Sequence, residues 1–145
     1  MNMPEHVLVP IDRSEQSRTA LAFALDEYPD ATITLLHIID VGNLAKYGDE
    51  GYFFSDDFVD QLRQRGHELL EENQTRAMER VDGVEIETEL RTGSPARTIT
   101  GYVDSHDVDH VIMGSHGRHG VSRVLIGSVA ETVTRRSPVP VTIVR

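Results

Sequence analysis

Val111-Ile-Met-Gly-Ser-His-Gly-Arg-His-Gly-Val-Ser-Arg-Val-Leu-Ile-Gly-Ser-Val-Ala-Glu-Thr-Val133 joins a short apolar run to a helix start through a loop rich in glycine. Val111 to Met113 has the character of a buried parallel strand, ended by Gly114. The spacing from there is Gly114, two residues, Gly117, nine residues, Gly127, then Ser128. Ser128 is expected to cap a helix, with Glu131 three positions later completing a capping box and Val129, Ala130 and Val133 opening its buried face. Glycines let a backbone approach a ligand closely, and a helix N-terminus presents free N–H groups carrying partial positive charge. The stretch therefore has the chemistry of an anion cradle that fits a phosphate chain.

Strands and helices alternate outward from this stretch. His6 to Ile11 is a continuous apolar run suited to a central strand, closing at Pro10-Ile-Asp12, where proline removes a ladder donor. Asp12-Arg-Ser-Glu15 opens a helix with Leu21, Ala24, Leu25 and Tyr28 at helical spacing, and Pro29-Asp30 stops it. Thr32 to Ile39 reads as a second buried strand. Asp40 to Ser55 is a long connection bearing glycine and aromatic residues, of the kind that forms lids, contact surfaces or disordered segments. A helix is expected from about Asp56 to Val81, with Phe58, Leu62, Leu69 and Ala77 inward. Val84 to Leu90 alternates like a strand with one wet face, at or near a sheet edge. Ser94-Pro95 starts a helix that turns Ile99, Tyr102 and Val103 to the core. A strand at Asp109 to Met113 precedes the quoted loop, and the helix after it runs from Ser128 to about Arg136. Val139 to Val144 closes the chain as an edge strand. The pattern predicts a parallel sheet between two helical layers.

Composition narrows the function. At 145 residues, with no linker-like shift in composition, residues 1–145 are expected to form one domain. No apolar run approaches the roughly 20 residues that span a bilayer, and the first residues lack the pattern of a signal peptide, so a cytoplasmic protein is expected. A net charge of −10 disfavours non-specific binding to nucleic acid or anionic membranes. With Lys46 the only lysine, so acidic a chain is expected in a high-salt cytoplasm, where self-repulsion is screened. The absence of cysteine excludes disulfides and thiolate metal sites. Neither G-x4-G-K-[S/T] nor G-x-G-x-x-G occurs, which leaves P-loop hydrolysis and dinucleotide binding unsupported. No residue stands out as a general base for attacking water, and no catalytic residue is assigned.

Gly114, Gly117, Gly127 and Ser128 match the G-x2-G-x9-G-[S/T] signature, and on them the chain resembles the ATP-binding universal stress proteins. Met113, Ser115, His116 and Val129 fit the same family, and the similarity extends to the first strand and to the closing Pro138-Val-Pro-Val-Thr-Ile-Val144. The resemblance implies a single-domain open five-stranded sheet of order 3-2-1-4-5. Its ligand crevice would lie beyond the carboxyl ends of the first and fourth strands. It also implies that Pro10, Ile11, Asp12 and Ile38 face adenosine, and that Met113 and Gly114 border the ribose and inner phosphates. Gly117, Gly127, Ser128 and Val129 would meet the phosphate chain through backbone N–H groups and the Ser128 hydroxyl, and His116 would also belong to the cofactor site. Arg118 and Arg123 would neutralise outer phosphates, and magnesium would bridge phosphate oxygens. The family's pairing across the last strand implies a homodimer through Val141, Thr142, Ile143 and Val144.

Several of these residues carry a second reading. Asp12, with Glu15 after it, equally serves as a helix cap, and the two roles can coexist, whereas Ser128 as a cap alone is a reading that the four-residue signature outweighs. Arg118 and Arg123 read first as solvated loop charges. His116 and His119, three apart in a loop, are a weak metal motif, so the metal is left open. His37, inside an apolar strand, is expected to be a satisfied core histidine. Tyr52-Phe53-Phe54 either stacks on a base or packs locally or against a subunit. Two other functions share the frame: a dimeric interaction protein without nucleotide, and an adenylyl-transfer enzyme, against which stands the lack of a Ser-Gly-Gly-x-Asp-Ser loop near the first strand.

Overall fold

The structure is a computed structural model and describes residues 3–40, 56–115 and 126–145. Along the chain it runs β1 (His6–Pro10), α1 (Glu15–Glu27), β2 (Thr32–Asp40), α2 (Asp56–Arg80) and β3 (Glu85–Gly93), then α3 (Pro95–Ser105), β4 (His110–Gly114), α4 (Ser128–Arg136) and β5 (Val141–Val144). The five strands form one sheet in the order β3-β2-β1-β4-β5. Every pairing in it is parallel. Parallel neighbours require crossovers, and the helices that supply them cover both faces of the sheet.

Alternation along the central strands divides the core into two layers. Val7, Val9, Ile33 and Leu35 face α1 and α2, meeting Leu21, Leu25, Leu70 and Ala77. Leu8, Leu36, Val111 and Met113 face α3 and α4, meeting Ile99, Tyr102, Val103 and Val133. Each large side chain fully withdrawn from water here contributes about 1.5–3 kcal/mol. The site is therefore carried on a rigid base, β1 and β4 being apolar toward both layers.

Strand ends differ from the sequence expectation where backbone hydrogen bonds decide them. β5 begins at Val141 and not Val139, because Pro140 offers only its carbonyl, which accepts the N–H of Val111 at 3.0 Å. β3 runs on to Gly93, since the nine-residue β2 supplies partners as far as Asp40. On α2, Leu69 and Ala77 are buried as expected, while Phe58 and Leu62 are only half-buried. At Gly66 the helix lies close on the sheet: an added Cβ would stand 2.8 Å from Leu90 Cδ1 and 3.1 Å from His37 Cδ2. No helix among the described residues is long and apolar enough to cross a membrane.

His37 is satisfied, as its place in an apolar strand implied: Nδ1–H donates to the Ile11 carbonyl at 2.7 Å. Burial lowers its pKa, outweighing that bond and the nearby charge of Asp12. Burial also lowers the pKa of His110, whose Nε2 pairs with the Thr142 hydroxyl at 2.7 Å. Both rings fold in the neutral form, so acid protonates the unfolded chain first. Stability should be level above the ordinary histidine pKa of about 6.5 and decline as the pH falls below it toward the lowered folded values. Urea midpoints measured from pH 8 to pH 5 should show this decline, and His37→Gln should flatten part of it.

Candidate functional site

The carboxyl ends of β1 and β4 are neighbours, in register through Val7 with His110 and Leu8 with Val111. At the end of β1, Pro10 is half-buried and Ile11 only 3% exposed, its N–H bonded to the Leu36 carbonyl at 2.8 Å. Asp12 follows, turning the chain into α1. Its Oδ1 accepts the N–H of Ser14 at 2.8 Å and also the Ser14 hydroxyl, while its own N–H donates to Ser17 Oγ at 3.1 Å. Ser14, not Asp12, is the N-cap of α1, with its Oγ accepting the Ser17 N–H at 3.1 Å. The two serines escaped the sequence reading, although Ser14 and Ser17 stand at N-cap to N3 spacing. Oδ2 of Asp12 has no donor among the described residues.

β4 ends at Gly114, half-buried against the first turn of α1, where an added Cβ would lie 2.7 Å from Gln16 Cβ. Ser115 then bridges two segments through its backbone: its N–H donates to the Val144 carbonyl at 2.8 Å and its carbonyl accepts the Gly127 N–H at 2.7 Å. The start of α4 is thereby tied to the end of β4.

That tie corrects the expected capping box. Gly127 is the N-cap, at φ −63° and ψ 158°, and Ser128 is the first helical residue. The Glu131 N–H bonds the Gly127 carbonyl at 2.9 Å, and no side chain among the described residues caps the helix. The pin from Ser115 fixes the extended cap conformation one residue earlier than the serine. The Gly127 N–H is thus engaged within the protein, which corrects its expected role as an amide donor to phosphate. The N–H groups of Ser128, Val129 and Ala130 have no acceptor among the described residues, and the Ser128 side chain is exposed.

Three of the apolar residues singled out in the sequence come together: Met113 lies in the α3–α4 cluster, and Ile38 and Val129 pack against it, half-buried. The mouth of the sheet therefore has an apolar wall beside a helix start whose first amides meet no acceptor among the described residues, an arrangement able to hold an anion joined to a flat apolar group. Among the described residues no group of three His, Cys, Asp or Glu side chains could hold a metal ion. His116, Gly117, Arg118, His119, Arg123 and the Tyr52-Phe53-Phe54 cluster lie outside the described residues.

Known proteins show the same frame. The chain is 31% identical over 147 residues to universal stress protein MJ0531 of Methanocaldococcus jannaschii, spanning 99% of this chain and 84% of that one. It superposes on the solved structure of MJ0577, from the same organism, with a TM-score of 0.83 at 26% identity, covering 97% of this chain and 94% of that one. The universal stress protein of Archaeoglobus fulgidus, solved in complex with dAMP, superposes with a TM-score of 0.66 over the full length of both chains. At 20% identity that likeness carries the fold alone. The model of the universal stress protein family matches residues 3–145, and the chain belongs to that family.

Proposed function

We propose that this chain is an ATP-binding module of the stress response, a cytoplasmic homodimer whose partners or state change with the nucleotide held at the mouth of β1 and β4. The observation that carries the reading is the start of α4: three successive N–H groups, those of Ser128, Val129 and Ala130, meet no acceptor among the described residues beside the apolar wall of Ile38 and Met113. In this reading Pro10, Ile11, Asp12 and Ile38 bound the adenosine, with Asp12 Oδ2 its polar contact. Met113 and Gly114 border the ribose and inner phosphates, and the Ser128 hydroxyl and the α4 amides take the phosphate chain. Gly127 contributes room, not a donor. His116, Gly117 and Arg118 complete the cradle through the signature spacing. Bound magnesium would neutralise charge between phosphate oxygens. The universal stress protein family, whose model matches residues 3–145, includes a protein solved in complex with dAMP, and the ligand class in this reading is an adenine nucleotide.

The dimer rests on the contrast between the two sheet edges. β3 carries Glu85, Glu87, Glu89 and Arg91, charges that keep an edge from pairing. β5 is Val141, Thr142, Ile143 and Val144, four half-buried residues with one neighbouring strand among the described residues. A second copy pairing along β5 would cover that edge. Sizing at micromolar concentration should give a dimer; a monomer removes this part of the proposal.

The nucleotide reading is tested by denaturing the purified protein, identifying released nucleotide by chromatography, and titrating ATP into the emptied protein. Adenine nucleotide in the released fraction and saturable ATP binding are expected. A folded chain that releases none and binds none is instead an interaction protein.

A further inference from the structure

At the tip of β1 the Ile11 N–H donates to the Leu36 carbonyl at 2.8 Å, and side chains hold the backbone that follows. Both poles of the peptide joining Ile11 to Asp12 are engaged in this way. Its carbonyl accepts Nδ1–H of His37 at 2.7 Å, and its N–H donates to Ser17 Oγ at 3.1 Å. The Asp12 carboxylate is held as well, Oδ1 accepting the N–H of Ser14 at 2.8 Å and the Ser14 hydroxyl. With backbone and one oxygen both engaged, the carboxylate cannot turn without breaking a bond, which leaves Oδ2 in one fixed direction.

Two features separate Ser17 from an ordinary capping residue. Capping of α1 is done by Ser14, whose Oγ accepts the Ser17 N–H, a backbone bond that any side chain at residue 17 allows. The Ser17 hydroxyl instead reaches back to Asp12, outside the helix. The buried stripe of α1 is Ser17, Ala20, Leu21, Ala24 and Leu25, and Ser17 is 3% exposed. A hydroxyl in that stripe costs helix propensity and desolvation relative to alanine, the residue found there at 20 and 24. Asp12 is only half-buried, so solvent reaches its surroundings and water would satisfy an N–H that needed nothing more than an acceptor. What the serine adds is direction.

We infer that Ser17 is a positioning residue of the sheet mouth: its hydroxyl holds the Asp12 backbone while Ser14 holds Oδ1, so that Oδ2 stands as a single preset acceptor for a hydroxyl or amino donor of the nucleoside. The inference rests on the nucleotide reading above. A carboxylate already fixed gives up little freedom when the ligand arrives, and its hydrogen bond is strong only at short range and good angle. Ser17 touches no ligand and acts through Asp12.

The test is a double-mutant cycle, read by calorimetric titration of ATP into the emptied full chain. Asp12→Ala should weaken ATP binding about tenfold and Ser17→Ala about fivefold. In the Asp12→Ala background, Ser17→Ala should change the affinity no further, because nothing remains for the hydroxyl to position. Ser17→Cys, close to serine in size but a weak acceptor, should bind ATP like the alanine variant, and it carries the same cycle if the alanine variant does not fold. The inference is overturned if Ser17→Ala binds ATP as the parent does. It is equally overturned if the loss is the same in both backgrounds or if cysteine keeps the parent affinity, either of which makes Ser17 a packing element. Unchanged binding in Asp12→Ala would remove Asp12 as a contact, and this inference with it, in a chain that still holds ATP. A parent chain that binds no ATP would sink the nucleotide reading itself, so the two failures are told apart.

Discussion

Gly114→Ala is expected to lower the unfolding free energy by about 1–3 kcal/mol, read as an earlier urea midpoint at unchanged slope. The added Cβ would stand 2.7 Å from Gln16 Cβ, 2.9 Å from the Gln16 carbonyl carbon and 3.1 Å from its oxygen. Two of these are backbone atoms, which cannot swing aside as the tip of a flexible side chain can. Gln16 sits in the first turn of α1, held by the Ser14 cap and by the bond from Asp12 N–H to Ser17 Oγ. Pushing α1 away therefore strains the turn as well as the packing. Gly101→Ala is the control: nothing lies within 4 Å of a Cβ there, the site is exposed within α3, and alanine should stabilise by up to about 1 kcal/mol. If both substitutions stabilise alike, α1 and β4 are not in the contact described, and Gly114 is conformationally idle.

This result bears on what the signature could reveal. Periodicity made the strands and helices legible because Val7, Leu8 and Val9, like Val111, Ile112 and Met113, are buried on both faces and read as unbroken apolar runs. The strand order came through the resemblance, since no local pattern says which parallel strands are neighbours. The division of labour among the glycines could not be read at all. Gly114 owes its lack of a side chain to Gln16, nearly a hundred residues away, and no short-range rule registers such a contact. Ser128 looked like the cap because serine is a strong one, but a tertiary bond from Ser115 moved the cap to Gly127. Ser17 was hidden for a related reason. A serine in the first turn of a helix looks like solvent surface until the rest of the fold is in place to bury it.

Gly127→Val should separate ligand binding from folding in the opposite sense to Gly114→Ala. At φ −63° and ψ 158° the backbone of Gly127 lies in a region open to every residue, so conformation does not require glycine there. Valine is a poorer N-cap than glycine, and the expected loss of stability is about 1 kcal/mol. The bond from its N–H to the Ser115 carbonyl needs no side chain and should survive. What changes is the space in front of the Ser128, Val129 and Ala130 amides, where a branched side chain would hold phosphate oxygens beyond hydrogen-bond reach. ATP affinity should fall by about tenfold or more, at least 1.4 kcal/mol, in calorimetric titration of a protein that still unfolds cooperatively. Gly127→Ala, with one added carbon, should fall between. Should the valine variant bind ATP as tightly as the parent chain, the phosphates do not approach through this helix start, and the proposed site is wrong in its central feature.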